Sequence, residues 1–131
     1  MPRLEAAIYT ILSGTTAITD HVGTRIYPSY LPQNCTYPAM TYWRVSTIRE
    51  SAMNADPGIS TARFQVSVWA TDPVTAGNVA DHVRTAMHRT IGTYGGVKIT
   101  DNAIDGEMIT YDSETEEHQV ALDFLVSQEE T

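Results

Sequence analysis

Cysteine is nearly absent: Cys35 is the only one in 131 residues. A lone thiol permits no internal disulfide and cannot build a cysteine-rich zinc site. Asn34-Cys35-Thr36 matches a glycosylation acceptor in form, a match without meaning unless the chain is secreted. Long apolar runs are missing as well. The longest span a few residues, far short of the roughly 20 that cross a bilayer as a helix. The opening stretch, MPRLEAAIYTILSG, carries one Arg and an apolar stripe broken by Glu5 and polar residues. That is a poor signal peptide and a fair amphipathic helix. The expectation is a chain made and retained in a cytosol, with no membrane partner.

Lys and Arg disappear from the end of the chain. Residues 1–100 hold six acids and eight bases, a net +2, whereas residues 101–131 hold ten acids and no Lys or Arg, a net −10, which together make the −8 of the whole. An acidic terminal third disfavours adhesion to nucleic acid or to an anionic membrane. The plain reading is a solvated acidic face. A surface that fails to hold DNA can still be useful beside DNA.

Catalytic and metal signatures are missing too. His21, His82, His88 and His118 include no pair at zinc-helix spacing, and His82 and His88 are six apart, off one helical face. There is no GxSxG, and Cys35 sits in a proline-rich loop without an evident base. GTYGG at 92–96 lacks the Lys-Ser/Thr of a phosphate loop and reads as a helix stop followed by a turn. DNAIDGEMITYD at 101–112 has the length and the position-6 Gly of a calcium loop. Its third position is Ala103, its twelfth is the short Asp112, and its flanks look like strands, so the metal reading fails. Asp105-Gly106 is expected to form a hairpin turn instead. No enzyme, cofactor or metal is expected.

What is present is amphipathic pattern. The length suits one domain, which buries roughly two-thirds of its unfolded surface. Leu4, Ala7, Ile8, Ile11 and Leu12 fall at helical spacing and predict a helix over 3–13, ended by Gly14, with room for a short turn at 16–22. Prolines at 28, 32 and 38 make an extended loop. AMTYWRVSTIR at 39–49 and TARFQVSVWA at 61–70 predict strands, the second with Phe64, Val66 and Val68 on one face. Between them, ESAMNADPGIS is a long polar turn. Asp72 is placed to cap a second helix over 73–91, with Pro73 in its first turn and Ala76, Ala80, Val83, Met87 and Ile91 as its stripe. Strands are expected at 97–100, at 107–112 and around Val120, Leu122, Phe124 and Val126. The sum is a single α+β domain in the order α-β-β-β-α-β-β. Two helices pack on one face of a mainly antiparallel sheet of about four to five strands. Tyr42, Trp43 and Trp69 read as core, or as interface anchors if the sheet meets a neighbouring subunit.

The order YPAMTYWRVS, RFQVSVWATDP, VADHVRTAM, YDSETEEHQVALDFLV resembles the tail-completion family of long-tailed phages, also called tail-terminator or head–tail joining proteins. The resemblance covers nearly the whole chain. It implies a small α+β subunit in a six-membered ring that stops tail-tube growth, joins the tube to the head connector or stopper, and leaves a channel for DNA. The partners it implies are further copies of the chain, the major tail tube protein and the connector. The location it implies is the virion neck, after synthesis in the bacterial cytoplasm. It carries over no catalytic residues.

Within such a ring, Asp105, Glu107, Glu114, Glu116 and Glu117 are candidates for the channel or its rim, where carboxylates would repel phosphates. The polar turn, through Ala52, Met53, Asn54, Asp56, Pro57, Gly58 and Ile59, is a candidate inter-subunit loop, since long loops between good strands often carry function. The competing readings are another neck component, such as a connector adaptor or stopper, and a small cytosolic regulatory or ligand-binding α+β domain.

Overall fold

Leu4, Ala7, Ile8, Ile11 and Leu12 are all buried on one side of the first helix, α1 (Leu4–Ser13), as their spacing predicts. The computed structural model describes residues 3–49 and 59–129. Among these, α2 (Thr16–Val22), β1 (Ile26–Pro28), β2 (Ala39–Arg49) and β3 (Ile59–Ala70) follow α1. Then come α3 (Pro73–Met87), β4 (Gly92–Tyr94), β5 (Val97–Asp112) and β6 (Glu117–Glu129).

The six strands form one sheet in the order β1-β2-β3-β6-β5-β4, curled into a half-barrel. Every pairing is antiparallel except β1 with β2. Phe64, Val66 and Val68 of β3 lie opposite Phe124, Leu122 and Val120 of β6, all on the face that meets the helices. Phe64 and Phe124 are fully buried and face each other directly. Cross-strand apolar pairs of this kind are the unit that stabilises a sheet.

The expected two helices over four to five strands, in the order α-β-β-β-α-β-β, is therefore corrected. The described residues form three helices and six strands. Thr16–Val22 is a full helix that buries Ile18 and Val22. The short strands β1 and β4 have three residues each, too few to show a period. The helix expected over 73–91 stops at Met87, because His88 is extended and Arg89 takes a positive φ of 64°. Ile91 thus leaves the stripe and is exposed, and Val79 takes a place in it.

The turn expected at Asp105-Gly106 is also corrected: no turn occurs there. Ile104 pairs with Phe124 and Gly106 with Asp123, so Asp105 is the extra residue of a β-bulge inside one long strand. A second bulge between Ile99 and Asp101 lets Val97 and Ile99, then Asn102 and Ile104, face the helices in turn. The two bulges join the segments at 97–100 and 107–112 into the 16-residue β5.

Asp72 caps α3 as expected. Its Oδ2 accepts from the backbone N–H of Thr75 at 3.2 Å and from Thr75 Oγ1 at 3.0 Å. These bonds hold its carboxyl below the usual carboxylate range.

Candidate functional site

The helix-free face of the sheet is a polar lattice. Alternate residues of β3 and β6 point away from the core, and their side chains bond across strands. Thr110 Oγ1 donates to Gln119 Oε1 at 3.1 Å, and Gln119 Nε2 donates to Ser67 Oγ at 3.1 Å, linking β5, β6 and β3. Trp43 Nε1 donates to Gln65 Oε1 at 3.0 Å, and Trp69 Nε1 to Thr41 Oγ1 at 3.1 Å. At the centre, Arg63 Nη1 lies 2.7 Å from Asp105 and 3.8 Å from Asp123. The Asp105 bulge puts its carboxylate on this face.

The acidic candidates do not share one surface. Glu107 pairs with the buried Leu122 and so lies on the opposite face from Asp105 and Asp123. Glu114 and Glu116 sit exposed on the turn between β5 and β6, Glu116 at a positive φ of 57°. Glu117 accepts a hydrogen bond from the Tyr37 hydroxyl, which pushes the Tyr37 pKa upward. Glu117 and Glu114 also line an open groove with Trp69, Tyr111, Asp112 and Gln119. The Tyr111 and His118 rings lie against each other, tilted by 35° with centres 4.5 Å apart.

The aromatic candidates also separate. Tyr42 is buried beneath Tyr9 of α1, with ring centres 6.2 Å apart, whereas Trp43 is half-exposed on the helix-free face and Trp69 partly so. Of the candidate loop, positions 52–58 lie outside the described residues, and Ile59 opens β3 with its side chain exposed.

Two features of the surface are hidden in the sequence. One is the cross-strand lattice, whose members come from positions up to 66 residues apart, as in Thr61 with Ser127 at 2.9 Å. The alternating Arg63, Gln65 and Ser67 was its only local sign. The other is the pair of incomplete sheet edges. β1 pairs with β2 only as far as Tyr42, and β4 pairs with β5 only at 97–99. Among the described residues, no group of three His, Cys, Asp or Glu side chains could hold a metal ion, and no helix is long and apolar enough to cross a membrane.

A family model for tail completion protein gp17 matches residues 6–129. The chain belongs to that family. As a member of the tail completion family, it is a structural component of phage-type tails. The fold is similar to that of a chain from the virion of a native gene transfer agent particle. The TM-score is 0.76, with 17% identity over 97% of this chain and 95% of that one. A second solved chain superposes with a TM-score of 0.63, also at 17% identity, over 98% of this chain and 94% of its own. No curated protein matches the sequence.

Proposed function

We propose that six copies of this chain form a ring that ends the tail tube and joins it to the head, leaving a bore for DNA. Membership of the tail completion family across residues 6–129 is the observation that carries this reading. Its partners are the major tail tube protein on one side and the head connector or stopper on the other. Its place is the neck of the particle, after synthesis in the bacterial cytoplasm, and its role is structural rather than catalytic. The whole chain is one domain of the ring.

The surface suits that task. The polar helix-free face spends the charge of Arg63 on Asp105 and Asp123, so it offers DNA no uncompensated guanidinium there. The acidic turn at 113–116 supplies a rim that phosphates avoid. Particles made without this chain test the reading. Over-long or headless tails, cured by supplying the chain, are the expected result. Joined tails of normal length in its absence would overturn it.

A further inference from the structure

The sheet ends on two unfinished edges. Beyond Tyr42, β2 has only β3 beside it, so its other edge is open from 43 to 49 among the described residues. Beyond Ile104, β5 has only β6 beside it among the described residues and is open from 105 to 112. Before that point, the Arg89 N–H donates to the Asn102 carbonyl, and the Ile104 N–H donates to His88 Nδ1, closing the edge. Open edges present unpaired backbone donors and acceptors, which isolated proteins normally cover or shorten. Both edges instead carry exposed apolar side chains. On β2 these are Trp43, Val45 and Ile48, and on β5 they are Met108, Ile109 and Tyr111.

We propose that the β5 edge of one copy pairs, antiparallel, with the β2 edge of the next, so that the sheet continues from subunit to subunit. The proposal rests on the ring reading and names the contact that builds the ring.

Charge selects the partner. Residues 105–112 hold three acids and no base, and residues 43–49 hold two bases and no acid. Asp105 is held by Arg63 and Arg44 by Glu5 within the subunit, which leaves Glu107 and Asp112 as the unpaired charge of the β5 segment among the described residues. Two β5 edges repel each other through these carboxylates, whereas β2 brings no acid against them. That disfavours a two-fold dimer through β5 and favours a head-to-tail contact, the type that closes rings.

Topology agrees. From β2 through β3 and β6 to β5 the strands alternate in direction, so a following β2 in a ring meets β5 antiparallel.

The stagger agrees as well. Ser46, midway along the β2 edge, is level with Arg63 of β3, and Met108, midway along the β5 edge, is level through Ala121 with Ser67. The edges are offset by four residues, about 14 Å, over four strand spacings of about 19 Å. Aligning them in a closed ring tilts the strands by roughly 35–40°, within the range that closed sheets adopt.

Two single-edge variants of the full chain test the pairing. Ile48→Glu sets an acid against the acids of β5 and so blocks the β2 edge, and Ile109→Lys blocks the β5 edge. Both side chains are about 70% exposed, so the fold should tolerate the changes. Each purified variant should be monomeric by native mass spectrometry. Their mixture should give a dimer of one copy of each, because it retains one intact β5–β2 contact. Ile48→Ser and Ile109→Ser form a milder second pair if a charged variant misfolds. Hydrogen exchange on the wild type should show protection at 43–49 and 105–112 that rises with concentration. Monomers in every mixture, or a dimer formed by either variant alone, overturns the pairing. If the wild type still caps tails in that case, the tail-end role stands without this contact. A chain that pairs by its edges yet is absent from particles overturns the tail-end role instead.

Discussion

Two residues carry the fold's clearest local tests. Phe64 and Phe124 fill the centre of the sheet from adjacent strands, fully buried and directly opposed. Truncating either to Ala removes its apolar area and leaves a cavity that the neighbouring strands cannot close. A loss of about 3–5 kcal/mol is expected for each, read from urea unfolding. Because the two are register partners in one core cluster, the double variant should lose less than the two single losses combined. A loss below about 1 kcal/mol for Phe64→Ala would mean that this register is wrong. Asp72 gives a pH test. Hydrogen bonds from the Thr75 hydroxyl and backbone N–H favour its charged form, so its folded pKa lies below its unfolded value. The stability it contributes is therefore complete above the unfolded carboxylate value, near pH 4, and is lost as pH falls through the lower folded value. The urea midpoint of Asp72→Ala should trail the wild type at pH 7, and the gap should shrink toward pH 2.5. A gap that widens in acid would contradict the cap.

At the scale of elements, strong periods were legible and interrupted ones were not. The stripe of α1, the alternation of β3 and the Asp72 cap can be read from neighbouring residues, because each repeats without a fault over its length. β5 hides because its bulges change which residues face the core. Val97 and Ile99 fit one alternation, Asn102 and Ile104 the other, and an unbroken period-two reading splits the strand. The site was obscured for a related reason. The acids at 101–117 are neighbours in sequence, but the bulge at Asp105 sends it and Glu107 to opposite faces. The side chain that holds Asp105, Arg63, lies 42 residues earlier. The polar segment between β2 and β3 lies outside the described residues, apart from Ile59, and its proposed contact with a neighbouring subunit or tube protein remains a sequence inference. Deleting 52–59 should leave a folded chain with an unchanged circular dichroism spectrum that no longer terminates tails. Tails of normal length from the deletion strain would remove the loop from the joining contact.

Across the whole molecule, charge is what would set how the proposed ring treats DNA. A ring of six copies at −8 each carries −48, and most of that acidity comes from residues 101–131. The carboxylates are not equivalent. Glu114 and Glu116 are exposed on a turn, and among the described residues neither forms an ion pair, so Glu→Gln changes there only reduce repulsion. Asp105 and Asp123 instead neutralise Arg63. Replacing both with Asn removes two negative charges and frees a guanidinium, whose fork of donors binds phosphate in two-point geometry. If the helix-free face lines the bore, one such arginine per subunit forms a ring of six phosphate contacts. Asp105→Asn/Asp123→Asn should then slow DNA release from otherwise intact particles far more than Glu114→Gln/Glu116→Gln. Adding Arg63→Gln to the first pair should restore the rate. The slowing should also fade as salt rises, because phosphate contacts exchange for counterions. Release of DNA can be followed with a dye that fluoresces on binding it. Equal release rates for all three variants would place this face away from the passing DNA.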